Sequence, residues 1–209
     1  MPQQRRTDRA AIVAASIAVL DERGLDKLSL HAVAARLGVR QPALYHHFRD
    51  KNEILAAVAA DVLDRHHTER LPKPDEDWRD LLVRYAHSLR RAMLAVRDGA
   101  RLLALAGPRA PELANAMAQV SFLERHGFSG TDAVLAYVAV SRYTIGATLE
   151  QQTARDGSTI RFPADDASSP EAAHLVELAG QVARLGPDHE FTVGLTALVN
   201  GLGPASRRT

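Results

Sequence analysis

The sequence has no cysteine, which excludes a disulfide framework, a thiol nucleophile and a thiolate metal site. It also has no apolar run of the roughly 18 residues that a membrane-spanning helix needs. A chain without disulfides or a membrane span fits a cytoplasmic location. From these two absences we expect a cytoplasmic protein with no membrane partner.

Motifs for catalysis are also missing. There is no Gly-x-Ser-x-Gly turn to present a nucleophilic serine, and no glycine-rich phosphate loop follows a strand pattern. A metal cluster would have to combine His66, His67, His87 and Glu150. The adjacent histidines 66 and 67 project about 100° apart on a helix, so they share no face. We predict no enzyme activity, no metal and no cofactor, and we keep a metal-dependent regulator or enzyme as the least favoured alternative.

Helical apolar spacing recurs along the chain, whereas no segment shows the alternation of a strand. With 209 residues, 46% of them hydrophobic, the chain can bury a sizeable core in one large or two small domains. Helices are predicted at about 8–23, 29–37, 42–48, 51–67, 77–96, 98–105, 111–126, 131–154, 170–185 and 188–202. Residues 155–169 are predicted to form a loop and 203–209 a frayed tail. The predicted fold class is all-α.

The charge distribution divides the chain. Residues 1–51 contain nine basic and five acidic residues, a net charge of +4, which leaves −3 for the remainder. A basic end on a mildly acidic body suits a polyanionic partner at that end, although chance scatter of surface charge is the alternative. A charged, proline-containing linker near 71–76 predicts a boundary between domains at 1–70 and 71–209.

The stretch 28–51, LSLHAVAARLGVRQPALYHHFRDK, contains two short helices that meet at a glycine. The first has a buried stripe at i, i+3, i+4 and i+7, formed by Leu30, Val33, Ala34 and Leu37. Ser29 can cap the start of this helix, and Gly38 suits the left-handed position after its end. Pro42 then fits the first turn of the second helix, where a missing N–H is tolerated.

The second of these helices, about seven residues long, is too short to be stable alone. Leu44 and Phe48 are predicted to point inward. The residues predicted to face outward are Gln41, Ala43, Tyr45 and His47. A short helix that presents amide, methyl, phenol and imidazole groups suits a helix-turn-helix motif that reads a DNA major groove. The alternative is an ordinary surface helical hairpin.

Two further features concern the helices that follow. Asp50 and Glu53 have the spacing of a capping box, which predicts a helix that begins near Lys51, with free amides that favour a phosphate. The longest predicted helix, at 131–154, is apolar on more than one side and must therefore be buried in the core or against a partner. Glu150 lies deep in that helix, where a carboxylate is costly unless it is paired.

Residues 24–55, GLDKLSLHAVAARLGVRQPALYHHFRDKNEIL, closely resemble the DNA-binding domain of the tetracycline-repressor family. The segments LDRHHT (63–68), RDGARL (97–102), FLERHGF (122–128) and YTIGATLEQQ (143–152) extend the resemblance into the body of the chain. The resemblance implies an all-α protein with a three-helix DNA-binding domain and a helical ligand-binding and dimerisation domain. It also implies a homodimer built on two long helices per subunit around a small-molecule pocket.

The DNA-binding residues that we predict are His31, Gln41, Pro42, Ala43, Tyr45, His46, His47 and Lys51. Gln41 can make paired hydrogen bonds to an adenine edge, and the Ala43 methyl can meet a thymine methyl. Tyr45, His47 and Lys51 suit phosphates, Pro42 is a candidate base contact, and His46 suits either a phosphate or packing. By resemblance His31 replaces a base-reading arginine, which implies a different operator because imidazole cannot make the forked guanine contact.

The ligand-binding residues that we predict are His67, Tyr85, Leu89, Leu103, Gln119, Val134, Tyr137 and Glu150. By resemblance, His67 and Gln119 contact polar groups of the inducer, and so does the partner subunit's Glu150. Tyr85 and Leu89 replace the family's pocket asparagine and phenylalanine. Leu103 replaces its magnesium-binding histidine and Ala106 a neighbouring threonine, and leucine cannot bind a metal.

Together these features predict a homodimeric, ligand-responsive transcriptional repressor that binds double-stranded operator DNA of pseudo-palindromic sequence. The mainly apolar pocket predicts a metal-free, aromatic or polycyclic inducer. The alternative is a DNA-binding architectural protein whose solid core leaves no room for an inducer.

Overall fold

The computed structural model describes residues 8–107, 112–154 and 169–204, and all regular elements in these ranges are helical. The α-helices are α1 Arg9–Arg23, α2 Leu30–Leu37, α3 Lys51–His66, α4 Trp78–Leu94, α5 Gly99–Ala106, α6 Leu113–Arg125, α7 Gly130–Thr153, α8 Pro170–Leu185 and α9 Pro187–Gly201. Two 3₁₀ helices span Leu25–Lys27 and Gln41–His46. The predicted all-α fold is confirmed. The predicted loop up to residue 168 and the tail after 204 lie outside the described residues.

Helices α1 to α3 surround the first core, which includes Ile12, Leu20, Val33, Phe48 and Val58. Asp8 starts α1, because its Oδ1 accepts the Ala11 N–H at 2.7 Å. Gly24 follows α1 with φ at 78° and Gly38 follows α2 with φ at 69°, which is the backbone geometry that glycine favours at a helix end. The predicted ends of these two helices, at Gly24 and Gly38, are therefore confirmed.

The second core lies among α4, α6, α7 and α9 and includes Trp78, Leu82, Leu123, Val140 and Leu195. Helix α9 approaches α7 closely where Gly194 packs against the Tyr143 hydroxyl, and a Cβ at position 194 would overlap that group. The same hydroxyl donates to the Phe191 carbonyl at 2.9 Å. The two helices can approach this closely because position 194 is a glycine.

The N-terminal helices are bonded to the body through the start of α5. Asp98, with a left-handed φ of 55°, accepts the Leu25 N–H on its Oδ2 at 2.8 Å. Arg101 donates two hydrogen bonds to the Asp26 carboxylate, at 2.6 and 3.0 Å. These bonds join the start of α5 to the turn that follows α1.

Several outer helix faces remain apolar and exposed in a single chain. The exposed side chains on α7, α8 and α9 include Val134, Leu135, Leu175, Val182, Leu185 and Val193. Apolar side chains that are exposed on helices in mutual contact favour an interaction surface. Within the three described ranges, no helix is both long and apolar enough to cross a membrane.

Candidate DNA interface and ligand pocket

The outward-facing part of the helix-turn-helix motif is a 3₁₀ helix, Gln41–His46, and not the short α-helix that the spacing predicts. The Ala43 N–H bonds to the Arg40 carbonyl at 2.9 Å and the His47 N–H to the Leu44 carbonyl at 3.0 Å. Six residues that follow an extended Arg40 and include a proline form the tighter i to i+3 pattern in place of full α-helical turns. The predicted inward positions are correct, because Leu44 and Phe48 are both buried.

The predicted DNA-contacting side chains reach the surface around this 3₁₀ helix. Exposed are His31, Pro42, Tyr45, His46 and Lys51, and partly exposed are Gln41, Ala43 and His47. Tyr45 is 51% exposed although it is aromatic, and its hydroxyl accepts from Gln41 Nε2 at 3.4 Å. These side chains leave amide, phenol and imidazole groups available to DNA.

Arg9, which the sequence analysis did not single out, fixes the end of this reading element. Its Nη1 donates to the His47 carbonyl at 2.9 Å and to Glu53 Oε1 at 3.1 Å. Its guanidinium also lies 4.1 Å from the centre of the Phe48 ring. Arg9 is followed in α1 by a run of uncharged residues up to Leu20, and a basic residue at the start of such a run is a signal that points to this contact.

The start of α3 has the predicted cap at Asp50, whose Oδ1 accepts the Glu53 N–H at 2.9 Å. The return bond differs from a capping box, because Glu53 Oε2 accepts the Arg49 N–H at 2.8 Å and not that of Asp50. Arg49 and Arg9 lower the pKa of the Glu53 carboxyl through these hydrogen bonds. The carboxylate therefore ties the reading element to the first turn of α3.

Replacement of Asp50 by alanine should weaken both the fold and DNA binding. Loss of the cap should lower the free energy of unfolding by about 1 kcal/mol and loosen the amides beside Lys51. Urea unfolding and fluorescence anisotropy with operator DNA measure the two effects. Ser129→Ala is the matched control, because Ser129 caps α7 through the Asp132 N–H at 3.1 Å, away from the reading element. Equal losses of DNA affinity in both variants would contradict a local role for Asp50.

A cavity of about 620 Å³ lies among α3, α4, α5 and α7. Its lining includes four of the predicted ligand residues, Tyr85, Leu89, Leu103 and Tyr137. Much of the remaining wall is apolar and comes from alanines, Leu63, Val138 and Ile145. A drug-sized molecule fits a cavity of this volume and lining.

A second cavity of about 200 Å³ lies next to the first, and its lining combines charged and polar side chains with the apolar Leu63 and Ala116. It contains the predicted residues His67 and Gln119, with Arg70 and Asn115 beside them. Gln119 Nε2 donates to the Arg70 carbonyl at 2.9 Å, which orients its amide. Tyr85 and Leu63 line both cavities.

His67 caps the C-terminal end of α3 and is only 5% exposed. Its Nδ1 lies 3.0 Å from the Ser88 hydroxyl, which accepts the Glu69 N–H at 3.2 Å. The Ser88 hydroxyl can donate its proton to Nδ1, and the ring would then have its own proton on Nε2. Burial lowers the pKa of His67 to about 4, with smaller contributions from Arg70 and Arg91. The imidazole is consequently neutral near pH 7.

The depressed pKa of His67 predicts a loss of stability in mild acid. The unfolded histidine has a pKa of 6.5 and the folded one about 4, so the unfolded chain binds more protons between these values. Stability should be complete above pH 6.5 and should fall as the pH decreases towards 4, by about 2 kcal/mol between pH 7 and pH 5. Urea unfolding at the two pH values measures this. His67→Gln should reduce the pH dependence by that amount, and an unchanged pH dependence in the variant would assign it to other groups.

Two predicted ligand residues lie away from these cavities. Val134 is 49% exposed on α7 and is absent from the lining of both. Glu150 is exposed and borders another cavity, between α7, α8 and α9, with Arg90 and Gln151. Glu150 is exposed in the single chain, so the contact of the partner subunit's Glu150 with the ligand stays a prediction.

The sequence analysis also missed two serines that orient the pocket. Ser88 positions His67, and the Ser141 hydroxyl lies 3.2 Å from that of Tyr85. Ser141 follows Tyr137 by four residues on α7, so the i, i+4 rule places both on one face. That spacing was the available signal for Ser141.

Comparison with known proteins supports the arrangement described above. Residues 71–205 match the model of the tetracyclin repressor-like C-terminal domain, and residues 12–58 match that of the bacterial regulatory proteins of the tetR family. The chain belongs to the tetracycline-repressor family. This membership confirms the predicted helix-turn-helix transcriptional regulator.

Individual members of the family are similar to the chain over almost its whole length. The class A tetracycline repressor from transposon 1721 of Escherichia coli is 42% identical over 94% of this chain and 90% of its own. The crystal structure of TetR from Acinetobacter baumannii AYE has a TM-score of 0.77 and 38% identity, and the match covers 94% of this chain and 96% of that one. Class A TetR in complex with 5a,6-anhydrotetracycline and magnesium has a TM-score of 0.71 and 39% identity, with 97% and 100% covered.

Proposed function

We propose that the chain is a homodimeric repressor that binds a pseudo-palindromic operator and releases it when a small organic ligand binds. Helix α3 is the observation on which this proposal depends. It begins with the exposed Lys51 beside the reading element and ends at the buried His67 beside the cavities. One rigid element therefore joins the two sites. We assign residues 1–70 to DNA binding and 71–209 to ligand binding and dimerisation.

On the DNA side, two copies would place their reading elements in successive major grooves, about 34–36 Å or a small multiple apart. Gln41 is the candidate for direct readout of a base, and Tyr45, His47 and Lys51 for phosphate contacts that fix the register. Because position 31 has a histidine, we expect the preferred operator to differ from that of relatives with arginine there.

Coupling between the sites has two routes in this fold. A ligand that displaces His67 would tilt α3, and one that displaces Leu103 would move α5. The bonds of Asp98 to Leu25 and of Arg101 to Asp26 would pass the second movement to the turn after α1. Either movement changes the spacing of the two reading elements, and effective release requires several kcal/mol of differential affinity between the two states.

The ligand that we propose is a metal-free aromatic or polycyclic molecule with a hydroxyl or amine group. Leu103 lines the larger cavity with an aliphatic side chain, and Ala106 offers a methyl group beside it. Neither can bind a metal, whereas Tyr85 and Tyr137 offer aromatic faces. The cavity of about 620 Å³ also argues against a purely architectural protein, whose core would be solid.

A thermal-shift screen of aromatic compounds, with magnesium and with EDTA, tests this function. A ligand that binds only the folded state raises the melting temperature by mass action. We expect shifts from aromatic compounds that are equal in both buffers. Stabilisation by a tetracycline only when magnesium is present, and its loss in His67→Ala, would overturn the metal-free assignment.

A further inference from the structure

Tyr85 separates the two cavities of the ligand site. The apolar cavity of about 620 Å³ and the polar one of about 200 Å³ share only Leu63 and Tyr85 among their lining residues. The Tyr85 ring contacts His67 on one side, with centroids 4.7 Å apart, and Tyr137 on the other, at 5.2 Å. Both contacts are edge-to-face. The Tyr85 side chain thus forms, with Leu63, the wall between the two spaces.

The Tyr85 hydroxyl makes one hydrogen bond, with the Ser141 hydroxyl at 3.2 Å, and the ring packs against His67 and Tyr137. A single neutral hydrogen bond contributes modestly to stability. A ligand can therefore displace the ring if it gains more in the second cavity than Tyr85 loses in this bond and in its contacts with His67 and Tyr137.

The residues on either side of Tyr85 have unused hydrogen-bonding groups. His67 is 5% exposed and Tyr137 is 9% exposed, and neither His67 Nε2 nor the Tyr137 hydroxyl has a hydrogen-bond partner among the described residues. Buried polar atoms are nearly always paired in folded proteins, so unpaired ones require an explanation. Movement of the Tyr85 ring would open both atoms to an incoming molecule.

We propose that Tyr85 is a displaceable partition, held by Ser141, between two compartments of one ligand site. The ligand that fits is an elongated fused-ring aromatic molecule with an apolar body and a hydrogen-bonding end. Its body occupies the larger compartment, and its polar end pairs with His67 Nε2 and the Tyr137 hydroxyl after the Tyr85 ring moves aside. This inference rests on the proposed function, since it concerns the same ligand site.

Two fluorescent probes distinguish the compartments in the full-length protein. N-phenyl-1-naphthylamine is small and mainly apolar, and it fits the larger compartment alone. The probe 5a,6-anhydrotetracycline, used in EDTA, has four fused rings and a polar edge, and under this proposal its polar edge enters the smaller compartment. The ratio of the two dissociation constants reports the partition, because a general change in the pocket affects both probes.

Removal of the hydrogen bond should favour the longer probe. Tyr85→Phe and Ser141→Ala should each shift the ratio towards anhydrotetracycline by about threefold to tenfold. The double variant should show no further gain, because both substitutions remove the same bond. Tyr137→Phe should weaken anhydrotetracycline binding by a similar factor, because the longer probe loses a partner. Tyr143→Phe, which removes a bonded hydroxyl elsewhere on α7, should leave the ratio unchanged.

Two outcomes would overturn the partition alone. One is an unchanged ratio in Tyr85→Phe and Ser141→Ala while both probes still bind, which would leave the proposed function intact. The other is a gain in the double variant equal to the product of the single gains, which would mean that the two hydroxyls act separately. Failure of both probes to bind any variant or the wild type would overturn the partition together with the proposed ligand response.

Discussion

A single histidine at position 103 should make ligand binding depend on magnesium. Leu103 is partly exposed to the larger cavity, so an imidazole at this position would reach a bound molecule and supply a metal ligand. The affinity of the wild type for 5a,6-anhydrotetracycline should be the same in magnesium as in EDTA. In Leu103→His, magnesium should raise that affinity by about 10- to 100-fold, the range over which groups around a metal change its binding. Fluorescence titration in the two buffers measures both values.

Leu89→His is the matched control for this gain, because Leu89 lines the same cavity from α4. It introduces the same imidazole at a position where the resemblance implies no metal ligand. We expect no magnesium dependence in this variant. A wild type that already needs magnesium, or equal magnesium dependence in both histidine variants, would contradict the role assigned to position 103.

The second large effect concerns Gln41, whose amide lies beside the exposed Tyr45 hydroxyl. Gln41→Ala should weaken binding to an operator selected from random DNA by about 1–3 kcal/mol and relax the preference at one base pair of each half-site. Binding to random DNA should be unaffected, because the amide is not a phosphate contact. Fluorescence anisotropy with the selected and the random duplex measures the difference.

Lys51→Ala is the contrasting variant in the same assay. Lys51 is exposed at the start of α3, where its charge can contact a phosphate on any sequence. This variant should weaken selected and random DNA alike and lower the salt slope by about one unit per half-site. Equal losses on both duplexes for Gln41→Ala would refute its assignment to base readout.

The ends of most helices could be predicted because residues at each end determine where the helix begins or stops. Gly24 and Gly38 end α1 and α2 through their own backbone preference, and Asp50 and Pro170 start α3 and α8. Local signals act over three or four residues, which is the range that a sequence pattern can report. Glu53 accepts the Arg49 N–H and not the Asp50 N–H that a capping box predicts. Arg9, more than forty positions earlier in the chain, binds the same carboxylate, and a local pattern cannot report that contact.

The ligand site was harder to predict because its shape depends on what lies opposite each side chain. The family resemblance indicated that Tyr85, Leu103 and His67 belong to one pocket, and the structure places them around two adjoining cavities. Periodicity cannot show that the ring of Tyr85 fills the gap between these cavities. Likewise, the apolar residues that precede Glu150 in the sequence of α7 did not show that its side chain is exposed in a single chain.

The most direct test of the central claim is the affinity of one ligand for the free protein and for the protein bound to its selected operator. The probe is 5a,6-anhydrotetracycline in EDTA, and its fluorescence is titrated in both states. Ligand and operator must oppose each other equally, because thermodynamic coupling is reciprocal. We predict that operator-bound protein binds the probe at least about 100-fold more weakly than free protein, and that the probe lowers operator affinity by the same factor. Equal affinity in the two states, with operator and probe bound together, would contradict a ligand-responsive repressor.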